Sequence, residues 1–229
     1  MSALPAAPDK PRVVQAMFDR IAPRYDLLNR ILTFRMDVGW RKAAVAALDL
    51  PAGARVLDLA CGTGDLCRTL AAAEDEPIGV DFSLGMLRAG QAGVDAPLVR
   101  ADAFDLPFET GAFDGVTCGF ALRNFAALPP VFDECARVLR PGGRVAFLDV
   151  GEPNGPFARA VHGAWFRHVV PFVGGLLSDR DAYAYLPAST AYLPSATALL
   201  GLVTSAGLVS VEHRTLGLGA AQLVTGTRA

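Results

Sequence analysis

Five short apolar runs punctuate the middle of the chain: RVLDLAC (55–61), PIGVDF (77–82), PLVRADA (97–103), FDGVTCGFAL (113–122) and GRVAFLDV (143–150). Each is bounded by Gly, Pro or Asp, the pattern of strands covered on both faces. Between them DLCRTLAAAE, SLGMLRAGQ and PPVFDECARVLR carry apolar residues at helical spacing. Such alternation predicts right-handed βαβ units, hence an open parallel sheet with helices on both sides. After residue 150 the pattern changes. Residues 151–195 are rich in aromatics and proline, TALLGLVTSAG reads as a helix ending at Gly207, and VSVEHRTLG with AAQLVTGTRA reads as a terminal antiparallel strand pair. Ahead of Arg55, PRVVQAMFDRIAPRYDLLNRIL and WRKAAVAALDL are helical stretches placed to cap the carboxyl edge of the sheet. The expected organisation is one α/β domain over 1–229, with a loose tail (1–12), a helical cap (13–50) and an insertion (151–195) that forms a substrate lid.

Composition narrows the functions available. The chain has 229 residues and a net charge of −2, which leaves no basic footprint for nucleic acid. Cys61, Cys67, Cys118 and Cys135 form no CxxC pair and have no histidine cluster nearby, so neither a metal site nor a disulfide framework is expected. They read as reduced thiols of a cytoplasmic protein. The opening MSALPAAPDKPR lacks the apolar core of a signal peptide. Stretch 157–177, FARAVHGAWFRHVVPFVGGLL, is interrupted by charge, Pro171 and Gly174-Gly175, so it does not read as a spanning helix. It could still lie on a membrane.

In an open parallel sheet the ligand sits beyond the carboxyl ends of the strands, where the first strand-to-helix turn meets it. LDLACGTGD (57–65) is that turn. From Gly62 it runs G-T-G-D-L-C and lacks the third small residue of a dinucleotide fingerprint. The spacing present is acidic-x-small-x-Gly-x-Gly, through Asp58, Ala60, Gly62 and Gly64. The glycines allow close backbone approach, and a strand-end carboxylate suits a cationic or hydroxyl-bearing ligand better than a pyrophosphate. That points to S-adenosylmethionine (SAM), which carries an ammonium. Asp81, with Phe82 beside it, ends the second strand seventeen residues past Gly64, where it can accept from ribose hydroxyls. Asp102, followed by Ala103, ends the third, within reach of an adenine amine. Each carboxylate alone also suits a capping or turn role; three at successive strand ends point to one ligand.

VLDLACGTGDL, GVDFSLGML, RADAFDLPFETGAFDGVTCGFALRNF and RVLRPGGRVAFLDV are similar to segments of the class I SAM-dependent methyltransferases. More narrowly, MFDRIAPRYDLLNRILTFRMDVGWRK (17–42), ALRNF and SDRDAYAYLPASTAYLP resemble the ubiquinone/menaquinone biosynthesis C-methyltransferase family. The resemblance implies a Rossmann-like, seven-stranded, mostly parallel sheet with an antiparallel C-terminal edge. It also implies that residues matching Thr63, Asp81, Asp102 and Ala103 contact the cofactor. Three segments depart from the family pattern. Gly119 stands at a cofactor-lining position where the family carries a small hydroxyl, and LDVGEP and GAAQLVTGTR replace the family's usual endings.

Methyl transfer is an in-line displacement that needs alignment in a dry cavity. A quinol ring carbon becomes nucleophilic beside an ionised hydroxyl, and Arg123 and Asn124 are expected to hold that oxygen. Tyr25 and Asp26 are expected in the lid over the cofactor, and Tyr183, Tyr185 and Trp165 along the acceptor. Phe157, Val161, Ala164, Trp165 and His168 share a helical face that suits a prenyl tail or the headgroup layer; a lid core or a homodimer contact fits equally. The expected reaction is C-methylation of a prenylated quinol, demethylmenaquinol, at the inner face of the cell membrane. The alternatives are a methyltransferase of a soluble aromatic metabolite and a non-catalytic SAM-binding partner in quinone synthesis.

Overall fold

The structure, a computed structural model, describes residues 5, 9–151, 153, 155, 160, 163–165, 169, 170, 172 and 178–229. Its centre is a seven-stranded sheet built from β1 (Arg55–Leu59), β2 (Glu76–Asp81), β3 (Leu98–Arg100), β4 (Phe113–Gly119), β5 (Leu139–Val150), β6 (Leu208–Leu216) and β7 (Ala221–Arg228). The strand order is β3-β2-β1-β4-β5-β7-β6. The first five strands are parallel, and β7 pairs antiparallel with both β5 and β6. Strand order reverses between β1 and β4, so the loops after these two strands part there and leave a crevice.

Period-2 geometry divides the core. In β5, Val145 and Phe147 face one cluster with Phe113, Phe132, Leu199 and Val203. Ala146 and Leu148 face another, with Ala44, Leu48, Leu66 and Leu70. The first cluster is covered by α6 (Pro129–Val138) and α8 (Ala196–Ser205), the second by α3 (Met36–Leu48) and α4 (Asp65–Ala71).

The N-terminal cap differs from the expected uniform helix. Pro23, in a single 3-10 turn over Ala22–Arg24, separates α1 (Lys10–Ile21) from α2 (Tyr25–Leu32). The helix also begins inside the expected loose tail. Pro11 suits a first-turn position, and buried Lys10 donates from Nζ to the Phe125 carbonyl (2.7 Å) and lies over the Tyr192 ring. Residues 180–188 likewise fold as a helix, α7 (Arg180–Ala188), N-capped by the Asp179 carboxylate. Here α1, α2 and α7 share a core of Val14, Met17, Ile21, Leu28, Leu32, Val170 and Tyr183. Phe157, Val161 and His168 of the expected apolar face lie outside the described residues; Ala164 is exposed and Trp165 half-buried.

The cap is tied to the sheet. Asp19 accepts from the Ser83 hydroxyl (2.6 Å) and the Gly85 N–H (2.8 Å), and so seats α1 on the start of α5 (Leu84–Gly90). At the other end of α5, a Cβ on Gly90 would stand 2.5 Å from the Thr63 carbonyl oxygen. Because the obstacle is backbone, it cannot rotate away. Gly90→Ala is expected to cost about 2 kcal/mol and push the Thr63 loop out of place. Thermal unfolding and SAM titration check it; an unchanged Tm would refute the close packing.

Candidate active site

The β1–α4 turn is built for backbone approach. Ala60, Gly62 and Gly64 all hold positive φ (54°, 58° and 81°), and a Cβ on Gly64 would strike Val94 at 2.5 Å. The Gly62 N–H donates to Asp81 Oδ2 (2.8 Å), and the Ser83 N–H donates to Oδ1 (2.7 Å). These bonds tie the glycine turn to the end of β2 while leaving each oxygen a second lone pair for a ligand. Burial pushes the Asp81 carboxyl up to about 6, against the pull of the Ser83 and Gly62 N–H groups.

A cleft opens beside this turn, lined by Gly62, Asp81, Phe82, Asp102, Ala103, Gly119, Asn124 and Tyr25 together with Val80, Met86, Ala101 and Phe125. Its apolar walls and the Asp81 carboxylate fit an adenosine carrying a free diol, which matches SAM. Asp102 is exposed and closes an Asx turn, its Oδ1 accepting from the Phe104 N–H (3.0 Å). Its side chain stands past the end of β3, which is shorter than the sequence pattern predicts. A Cβ on Gly119 would meet Leu66 Cδ1 at 2.7 Å, so a leucine tip occupies the space that a small hydroxyl side chain would need.

Asp58 and the Thr63 and Gly64 positions fall elsewhere. Thr63 is buried, its hydroxyl bonded to Asp26, and Gly64 starts α4 behind the cleft. Asp58 lies in the sheet interior, 1% exposed, accepting from the Thr117 hydroxyl (3.0 Å) and the Cys67 thiol (3.4 Å). The expected direct contact with a ligand ammonium is therefore corrected. As the penultimate residue of β1, Asp58 has a side chain that joins β1 to β4 and α4.

Next to the cleft is a cavity of about 480 Å³, lined mainly by Leu32, Phe34, Met36, Trp40, Val150, Trp165, Val170 and Leu186. Tyr25 and Phe120 line both spaces, which are therefore neighbours. Arg123 reaches into the cavity from the short 3-10 turn Leu122–Asn124. It is fixed from three sides. Its Nη1 donates to Asp149 Oδ1 and to the Phe120 carbonyl (2.8 Å), and its Nε donates to the Ser189 hydroxyl (3.1 Å). Asp149, in the segment LDVGEP at the end of β5, supplies the anchor of Arg123.

The two expected acceptor tyrosines sit two apart on α7 and both belong to the core shared by α1, α2 and α7. Tyr183 is fully buried, and Tyr185 is 6% exposed with its hydroxyl turned to Asn124 Oδ1 (3.3 Å). Neither lines the cleft or the cavity, so both are corrected from substrate contact to packing, Tyr185 reaching the cleft only through Asn124. Trp165 lines the cavity and donates from Nε1 to the Leu32 carbonyl (3.2 Å). Burial pushes the Tyr25 phenol up, opposed by Asn29, Arg41 and Arg123, and pushes Tyr185 up to about 12. Both stay protonated at neutral pH and offer hydroxyl hydrogen bonds rather than a base.

A lattice of charge that single motifs do not announce holds cap and turn together. Asp37 accepts from Arg30, Arg41 and the Thr33 hydroxyl, and Asp65 pairs with Arg30 (2.7 Å), Arg41 (3.2 Å) and Arg68. Asp26 joins Arg68 to Thr63. Burial works against the Asp65 charge, but its arginines hold the carboxyl below the usual range. The spacings Asp37–Arg41 and Asp65–Arg68, one helical turn apart, are the signal from which these pairs could have been found.

Two predictions follow from these carboxylates. Removing Asp81 with Asp81→Ala deletes the group facing the diol, so SAM affinity should fall by about a hundredfold. In the native protein, affinity should decline as pH drops through about 6, where protonation removes an acceptor. Calorimetric titration between pH 5 and 8 checks both; a flat profile or an unaffected variant contradicts the placement. For Asp58, burial pushes the carboxyl up to about 7, opposed by Thr117 and Cys67. The folded state keeps a proton that the unfolded chain releases near pH 4, so stability falls as pH rises toward 7. Asp58→Asn removes that loss, and its Tm at pH 8 should exceed the parent's by roughly 2–4 °C, with a smaller gain at pH 5. Scanning calorimetry at the two pH values gives the sign.

Comparison with known proteins agrees with this geometry. Residues 7–228 match the ubiE/COQ5 methyltransferase family. The chain is 41% identical to a demethylmenaquinone methyltransferase of Roseiflexus castenholzii, covering 99% of this chain and 98% of that one. It is 43% identical to a demethylmenaquinone methyltransferase of Thermus thermophilus (93% and 100%). It is also 41% identical to a ubiquinone/menaquinone biosynthesis C-methyltransferase of Syntrophotalea carbinolica (93% and 92%). In fold it is similar to a SAM-dependent methyltransferase structure from Thermotoga maritima, at TM-score 0.67 and 19% identity, over 94% of this chain and 99% of that one. With a glycine turn held by a strand-end carboxylate and an apolar chamber beside it, the chain belongs to the ubiE/COQ5 methyltransferase family and is a SAM-dependent methyltransferase.

Proposed function

We propose that the protein methylates a ring carbon of a prenylated quinol, demethylmenaquinol, at the inner face of the cell membrane. The observation that carries this reading is the apolar cavity of about 480 Å³ containing the anchored Arg123 and separated from the cofactor cleft by Tyr25 and Phe120. The relatives' names supply the acceptor class. Gly62, Asp81, Phe82, Asp102, Ala103 and Gly119 are the residues proposed to hold SAM, with Thr63, Gly64 and Asp58 shaping the turn from behind. When bound, SAM supplies a methyl group on a sulfonium, and the chain's own residues do the rest.

Arg123 faces the ring hydroxyl. A guanidinium with two of its three nitrogens already engaged is pre-oriented, so it favours the ionised oxygen without reorganising. The hydroxyl proton leaves to solvent and the ionised oxygen feeds electron density to the adjacent ring carbon. That carbon takes the methyl as the sulfur–methyl bond breaks, with its electron pair kept by S-adenosylhomocysteine. Loss of the ring-carbon proton and return of one to the oxygen restore the aromatic quinol, for a net release of one proton. The phenol of Tyr25, which lines both spaces, orients the ring edge, and Asn124, bonded to Tyr185, meets it from the cleft side where the two spaces adjoin. Leu32, Val170, Trp165 and Leu186 exclude water and hold the apolar part of the acceptor.

The test is S-adenosylhomocysteine release from SAM with reduced, short-tailed demethylmenaquinone, using the oxidised quinone as control. Turnover on the quinol alone supports the reading; SAM binding with no turnover on either overturns it and directs the search to soluble aromatics. Arg123→Lys keeps the charge but loses the three-sided anchorage, and should lower kcat about a hundredfold with SAM affinity unchanged. An unaltered kcat removes Arg123 from the reaction.

A further inference from the structure

We propose that α2 and the turn after it form a membrane-docking surface that seats the mouth of the acceptor cavity on a bilayer containing anionic lipid. Helix α2 is apolar on two sides. Leu28 and Leu32 enter the cap–lid core, whereas Leu27 and Ile31 are 61% and 43% exposed. Leu27 and Ile31 stand at i and i+4 on one face of α2, and Phe34, in the turn just past its end, is 66% exposed. Four of the nine large apolar side chains exposed among the described residues fall within 27–36. A surface helix of a water-soluble domain has no use for a second apolar stripe unless something covers it.

The turn holds these side chains outward at a conformational cost. Phe34 and Arg35 are consecutive non-glycine residues at positive φ (52° and 62°), and Leu218, 88% exposed, is another at 57°. Backbone of that kind persists only where its surroundings over-determine it. Here the Arg35 N–H donates to the Arg30 carbonyl (2.9 Å), and the Phe34 ring packs on Trp165 with centroids 4.9 Å apart. Phe34, Met36 and Leu218 all line the acceptor cavity while exposed to solvent, so they form its mouth. The stripe on α2 continues from that mouth.

Charge identifies the occupant. Residues 27–36, LLNRILTFRM, carry two arginines and no acid in a chain of net charge −2; Arg30 is held by Asp37 and Asp65, and the exposed Arg35 stands beside Phe34 and Met36 at the mouth. The bounding acids are engaged: Asp26 with Arg68, and Asp37 with Arg30 and Arg41. Exposed aromatic and aliphatic side chains beside an exposed arginine, with no acid among them, are the composition of an interfacial surface attracted to anionic headgroups. The purpose of the surface rests on the quinol reading, because a prenyl tail could then pass between bilayer and cavity past Phe34, Met36 and Leu218. Its existence does not. Among the described residues no single helix is long and apolar enough to cross a membrane.

The test is co-sedimentation of the full chain with phosphatidylcholine vesicles, with and without about 30% phosphatidylglycerol, at low and high salt. The native protein should bind the anionic vesicles and release as salt rises. Leu27→Ser/Ile31→Ser changes two exposed side chains that line neither cleft nor cavity, so its Tm should match the parent's. Its vesicle affinity should fall at least about tenfold. Its turnover on a short-tailed quinol in solution should be unchanged, and on a long-tailed quinol in vesicles reduced. Native protein that ignores anionic vesicles, or a double variant that binds them as well as the parent, overturns the proposal. So does a concentration-dependent dimer abolished by the same substitutions without vesicle binding, which would assign the surface to a second copy. Vesicle binding lost in the double variant, with no quinol turned over by any form, leaves the surface standing and removes the quinol reading.

Discussion

Two aspartates held among three arginines are the constraint on which the site depends. Asp37 and Asp65 draw Arg30, Arg41 and Arg68 into one lattice that spans α2, α3 and α4. Each acid is almost fully enclosed, so its charge is tolerable only while its partners stay. The lattice is weak ground for overall stability but strong ground for specificity of arrangement. If α2 slid by a turn, a buried carboxylate would lose its counter-ion. Fixing α2 places Tyr25, at its first turn, between cleft and cavity, and fixing α3 places Trp40 and Arg41 along the cavity.

A second anchor, smaller and further along the chain, works the same way. Asp149 is fully buried at the end of β5, and Arg123 answers it from the turn after β4. Ser189 then ties Arg123 to the turn that follows α7. The sheet ends position the guanidinium, and the guanidinium positions that turn. Electrostatic anchoring thus recurs wherever an irregular segment must hold a defined place against the regular sheet.

Much of this was legible in the sequence, and the remainder was hidden for identifiable reasons. Buried parallel strands announce themselves as apolar runs, and the acidic-x-small-x-Gly-x-Gly spacing marks the turn, because local backbone demands leave local marks. Asp58 misled because a strand residue's facing depends on register with β4, where it meets Thr117. Tyr183 and Tyr185 resembled residues along an acceptor because their alternation suits a loop, whereas α7 packs both into the core and leaves only the Tyr185 hydroxyl to reach Asn124. Two of the three partners of Arg123 lie 26 and 66 residues away, in elements that only the tertiary fold brings near. The break at Pro23 was readable, but its consequence, two helices with separate tasks, belongs to packing.

The two spaces share few walls, and that has an evolutionary corollary. Tyr25 and Phe120 face both the cleft and the cavity, while Asp81, Phe82, Asp102 and Ala103 face only the first, and Trp40, Arg123, Trp165 and Leu186 only the second. Substitutions in the second set therefore reshape the cavity and leave the cleft beside the glycine turn untouched. On the proposed assignment of the two spaces, such an architecture separates inheritance of the methyl source from diversification of its recipient, and it offers protein engineers the same independence.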